Sequence, residues 1–100
     1  MIVVLAHRAR IRHGALLETL QLGHVMEDSA RRAGGCITYK IYLDPTDPNT
    51  VFIFEEWATQ EAFDASRKLS IALAFYDHLG RQLVAPLHSQ RYEVDAVTPV

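Results

Sequence analysis

Three observations predict an α+β fold in which helices pack on one face of a single antiparallel sheet. Short β-branched and aromatic runs alternate with helical stretches in the order strand, helix, strand, strand, helix, strand. The two central runs, "CITYKIYL" and "TVFIFEEW", are separated only by the Asp- and Pro-rich stretch "DPTDPN", which favours an antiparallel hairpin. Finally, 100 residues, 49% hydrophobic and 22% charged, suffice for one core and leave no room for a second.

The elements follow in order. "IVVLAHRARI" alternates as a strand should, with Val3, Leu5, His7, Ala9 and Ile11 on one face. Arg8, Arg10 and Arg12 form the only basic stripe and suit the wet end of a strand face. From about Gly14 to Ala33 the period becomes helical through Leu22, Val25, Met26, Ser29, Ala30 and Ala33, and "AGG" supplies the glycine stop. In the hairpin that follows, Ile37, Tyr39, Ile41, Phe52 and Phe54 are expected on one side, with Val51, Ile53 and Trp57 on the other. Thr59 caps the next helix, whose first turn holds Gln60 and Glu61. A further helical stretch starts at Ser70 with Ile71, Phe75 and Leu79 four apart, and "APLHSQRYEV" returns as a last strand after Pro86. Residues 1–95 are read as one domain and 96–100 as a tail. The order βαββαβ is the split βαβ, or ferredoxin-like, arrangement with a four-stranded antiparallel sheet. Helices then cover one sheet face only. Because both faces of the hairpin carry large apolar groups, a monomer would expose an apolar patch, and a homodimer is expected to bury it.

Charge and motif content exclude several classes. The net charge is −2 and the basic residues are scattered, so no footprint for nucleic acid or an anionic membrane is present. The apolar run "MIVVLA" stops at His7 and Arg8, short of a signal-peptide core of about 7–15 residues or a spanning helix of about 20. Cys36 is the only cysteine, which rules out an internal disulfide and fits a reducing compartment. A soluble, cytoplasmic protein is the expectation. No two histidines stand at a His-x-His or His-x-x-x-His spacing, so no metal site is expected. Neither a Gly-rich phosphate loop nor a Gly-x-Ser-x-Gly elbow occurs.

Chemistry concentrates in a few residues. His7 interrupts the apolar face of the first strand, and His78 lies within the stripe of the last helix, three residues beyond Phe75. Glu55 falls between Ile53 and Trp57 on one strand face, where a buried carboxylate has to be paired, hydrated or protonated. Trp57 beside it offers a flat apolar wall for a planar ligand, and Tyr76 sits at the edge of the helical stripe. Each also has a purely structural reading as a hydrogen-bonded or packed core residue.

"GGCITYKIY", the Pro-containing turn, "FIFEEWATQEAFDA", Phe75 and the terminal "RYEV" together resemble the antibiotic biosynthesis monooxygenase domain over nearly the whole chain. The resemblance implies a dimeric α+β barrel with a cavity between sheet and helices and Trp57 on its wall. It also implies cofactor-independent oxidation of a small phenol or hydroquinone, whose anion gives an electron to dioxygen. His7 or His78 would be the base, since an imidazole titrates near neutrality. Glu55 would orient it or replace it, its pKa raised by desolvation. Trp57, Tyr76 and Ile53 would line the site of a small aromatic or quinone-like ligand. The family commonly places a His and then a Ser or Thr where this chain has Ser66 and Leu69. Tyr76 stands where the haem-degrading branch has its His, and His7 falls at or near the place of that branch's first-strand amide, so no haem is expected. The same fold hosts isomerases and decarboxylases of small oxygenated metabolites, and non-catalytic ligand-binding dimers remain a third class.

Overall fold

The computed structural model describes residues 1–100. Strand β1 (Ile2–Arg10) leads to helix α1 (Leu16–Arg32), the hairpin β2 (Cys36–Leu43) and β3 (Thr50–Trp57), helices α2 (Gln60–Arg67) and α3 (Ser70–Gln82), and strand β4 (His88–Val94). The sheet order is β2-β3-β1-β4, and all three pairings are antiparallel. This is the ferredoxin-like βαββαβ arrangement, with every helix on one face of the sheet. No helix is long and apolar enough to cross a membrane.

Period-2 alternation on β1 works as the sequence implies. Val3, Leu5, His7, Ala9 and Ile11 are buried beneath the helices, while Arg8, Arg10 and Arg12 are exposed. On β3 the covered set is Val51, Ile53, Glu55 and Trp57, all at 0% exposure. The helices add Met26, Ala30, Ala72, Phe75 and Leu79 to the same core.

The hairpin corrects one expectation. Tyr39 pairs with Glu55 and Ile41 with Ile53, so both point toward the helices rather than accompany Phe52 and Phe54. The reason is register: a shift of one residue exchanges the two faces of a strand, and Leu43 opposite Val51 sets odd against odd. An irregularity between Cys36 and Thr38 then leaves Ile37 half-exposed. Tyr42, Phe52, Phe54 and Tyr92 thus share the uncovered face, each paired across the sheet with another residue of that face.

Helix α1 is also rotated from its expected face. Thr19, Gly23, Met26, Glu27 and Ala30 are buried, whereas Val25 is half-exposed. Gly23 lets the helix settle on the sheet, since a Cβ there would come within 2.5 Å of Ile41 Cδ1. Glu27 is buried because Oε2 accepts the N–H of Ile41, 2.8 Å away, on edge strand β2. A carboxylate thereby caps a backbone donor that the sheet leaves unpaired.

Helix α2 is fixed at both ends. Thr59 accepts the Ala62 N–H at 3.1 Å as its cap. Gly35, at φ +84°, brings the α1–β2 turn so close that an added Cβ would lie 2.5 Å from Ala62 Cβ. Gly35→Ala therefore combines left-handed strain with a clash against α2. It should lower stability by at least about 1 kcal/mol, read as a lower midpoint in a urea melt.

Candidate functional site

Glu55 has no exposed surface, and its charge is met by groups from three other elements, with a fourth reaching it through Tyr76. From β1, His7 Nε2 lies 2.7 Å from Oε2. From the end of α2, Arg67 Nη2 donates to the same oxygen at 2.5 Å. From α3, the Tyr76 hydroxyl stands 3.5 Å from Oε2, and from β2 the Tyr39 hydroxyl lies 2.5 Å from that of Tyr76. On β3 itself, Trp57 Nε1 donates to Oε1 at 3.0 Å. A carboxylate only accepts, so His7 carries its proton on Nε2, which leaves Nδ1 facing Ser89 Oγ on β4 at 2.8 Å. The result is a hydrogen-bonded line, Ser89 to His7 to Glu55, running from the exposed edge strand into the core.

The structure thus gathers His7, Glu55, Trp57 and Tyr76 around one carboxylate. Ile53 is packed at 0% exposure in the core beside them. His78 stands apart from this group. Its Nε2 is 2.9 Å from Thr19 Oγ1, and that hydroxyl spends its proton on the Ala15 carbonyl, so His78 is the donor in a contact that ties α3 to α1. Its hydrogen bonding matches the structural reading. Trp57, expected as an open wall, has no exposed surface, because its indole is turned onto Glu55. Glu56 points to the uncovered face and accepts the Thr38 hydroxyl at 2.7 Å.

Arg67, Tyr39 and Ser89 were missed from sequence. Arg67 closes α2, where a terminal arginine reads as a partner of the helix dipole. Instead it turns inward, its guanidinium carbon 4.7 Å from the centre of the Phe63 ring and 4.3 Å from that of Tyr76. Spacing gives one signal: Phe63 and Arg67 are four apart and share a helix face. The largest cleft, about 680 Å³, is lined by Val25, Ser29, Arg32, Ser66, Leu69 and Ile71 among others, and none of the Glu55 group reaches it. The convergent polar groups lie in the Glu55 cluster instead.

The electrostatics correct the expected direction for Glu55. Burial pushes its carboxyl upward, but hydrogen bonds from His7 and Arg67, the Arg67 charge and the Trp57 N–H outweigh it, so the carboxyl is held below the ordinary value of 4.5. Burial lowers Arg67, and its bond to Glu55 more than reverses this. Tyr39 and Tyr76 are both raised, first by burial and then by neighbouring charge, so their hydroxyls stay protonated donors. Because Glu55 is depressed in the folded state, its contribution to stability is present above about pH 4.5 and is lost as pH falls through the lower folded value. Arg67→Met removes a depressing partner. The acid limb of a melting-temperature profile taken down to about pH 3 should then become shallower, the variant being less stable near neutrality and converging on the parent in acid; a limb of unchanged steepness would mean that Arg67 does not hold the Glu55 charge.

Comparison with known proteins accords with the fold. The family model described as antibiotic biosynthesis monooxygenase matches residues 1–78. A solved structure from Nitrosomonas europaea superposes with a TM-score of 0.89 at 15% identity, covering 98% of this chain and 94% of the other. One from Mycobacterium tuberculosis gives 0.86 at 22% identity over 98% and 100%. One from Deinococcus radiodurans gives 0.84 at 20% identity over 100% and 98%. An uncharacterized Synechocystis sp. protein is 29% identical over 62 residues, which span 62% of this chain but only 42% of that protein. With most of its length matched by the family model, the chain belongs to the antibiotic biosynthesis monooxygenase family.

Proposed function

We infer that this protein is a cofactor-independent monooxygenase of a small electron-rich phenol or hydroquinone. The observation that carries the reading is the Ser89–His7–Glu55 hydrogen-bond line. An imidazole with one nitrogen fixed by a buried carboxylate presents its other nitrogen as a base, and the carboxylate stabilises the imidazolium that forms. His7 and Glu55 act as one coupled base: a proton taken at Nδ1 gives an imidazolium held by the carboxylate, and a proton taken directly by Glu55 is held there with Nε2–H still donating to it. Trp57, Tyr76 and Ile53 supply the apolar surroundings in which a phenolate is a strong reductant. For a phenol with a free ring C–H, the reaction inserts one atom of dioxygen into the ring and releases the other as water, which leaves a quinone; atoms and electrons then balance without a further reductant.

The same reading makes the protein a homodimer joined through the uncovered sheet face. Phe52, Tyr42 and Tyr92 expose 37%, 50% and 47% of their surface there, and face-to-face pairing of two sheets would bury them.

Oxygen uptake with a panel of methoxylated phenols and hydroquinones tests the chemistry. His7→Gln and Glu55→Gln should each lower turnover by about 10²–10⁴-fold while the protein stays folded. Loss of turnover on His78→Gln, with folding intact, would move the base to α3. Substrate consumption without oxygen uptake would favour an isomerase or decarboxylase. For the interface, Phe52→Glu should shift sedimentation from dimer to folded monomer; a parent protein that is already a monomer at micromolar concentration would refute the dimer.

A further inference from the structure

Arg67 stands out because its guanidinium is a planar group with two aromatic neighbours, Phe63 and Tyr76, and a polar edge on Glu55 Oε2. Those are the contacts a flat phenol would make, with ring faces on its body and a donor O–H on the carboxylate. We propose that Arg67 is an internal plug that occupies the phenol slot between Phe63, Tyr76 and Glu55 Oε2, and that the ligand binds by displacing its guanidinium. This rests on the phenol-oxidising reading and adds to it where the ring sits and what has to leave.

Three observations make the plug exchangeable. Arg67 Nη1 is the only buried side-chain polar atom with no hydrogen-bond partner, so rotating the guanidinium outward returns an unsatisfied donor to water. The side chain keeps 23% of its surface exposed, which gives it a short way out. Arg67 is also the last residue of α2, so its rotation needs no helical turn to open. By contrast, Tyr39, Ile53, Trp57 and Phe75 are all at 0–1% exposure, and none could clear the space so readily.

Displacement would also change the chemistry of Glu55. His7 from β1, Tyr76 from α3, Tyr39 from β2 through Tyr76, and Trp57 from β3 remain around it, but the only permanent cation departs. Desolvation then acts against an anion that lacks its counter-charge, and the carboxylate becomes a stronger base while a phenol O–H rests against it. The O–H bond breaks, the proton passes to the Glu55 carboxylate, and the phenolate keeps the electron pair. The resting enzyme is thus held in a poor state for proton abstraction until a ligand enters.

The decisive measurement is anaerobic calorimetric titration with phenol itself, so that no turnover intervenes. Arg67→Ala should bind phenol at least tenfold more tightly than the parent, because the ligand no longer competes with the side chain. In that variant, millimolar guanidinium chloride should compete with phenol for the vacated slot. Unchanged or weaker phenol binding would overturn the proposal and make Arg67 a clamp, as would a lack of competition by guanidinium. Because Arg67→Ala leaves a buried carboxylate without its cation, the neutral pair Arg67→Ala/Glu55→Gln is tested beside it. It should also bind phenol more tightly than the parent, and no gain there refutes the plug even if the single variant fails to fold. If phenol occupies the slot as described but no substrate consumes oxygen, the monooxygenase reading falls and the plug stands.

Discussion

The carboxylate of Glu55 is the constraint on which the arrangement turns. An ionised group with no exposed surface costs several kcal/mol in lost hydration unless donors replace the water. Here they come from His7 on β1, Arg67 on α2, Tyr76 on α3 and Trp57 on β3 itself. Apolar packing would accept many small displacements of these elements. Hydrogen bonds to two oxygen atoms do not, so the helices and strands are positioned relative to one another by a single charge. The same group that specifies the packing is the one the proposed function uses as its reactive centre.

That dual role explains the tension in the site. Burial alone would make Glu55 a good base, whereas its partners make it a stable anion. Removing the charge would ease folding but would leave His7 without the acceptor that fixes Nε2–H and frees Nδ1 toward Ser89. Keeping the charge requires Arg67, whose arrival brings two aromatic contacts and one unsatisfied nitrogen. A core built only for stability would have an apolar residue at position 55, as replacement of buried ion pairs by apolar residues often shows.

The two sheet faces divide the labour. Beneath the helices, α1 is seated by Gly23 and by the Glu27 bond to Ile41, and α2 by Gly35 against Ala62. Across the sheet, Val4 is only 8% exposed although no helix covers it, because Glu56 and Tyr92 flank it on the paired strands. The uncovered face is therefore partly sheltered by its own side chains, and its aromatic residues are what a second layer would bury.

The sequence by itself determined the elements, their order and the inward face of β1 and β3, because alternation and turn chemistry are local properties. His7 between Leu5 and Ala9, and Glu55 between Ile53 and Trp57, announced buried polar groups for the same reason. Which strand face Tyr39 and Ile41 took was decided by register across the hairpin, since a shift of one residue exchanges the faces. That His7 meets Glu55 while His78 meets Thr19 depends on contacts between residues 48 and 59 positions apart, which no local pattern encodes. Arg67 is the clearest case. At a helix end its long, flexible side chain can face water or turn inward, and only the assembled carboxylate and the two rings of Phe63 and Tyr76 made the inward direction the favourable one.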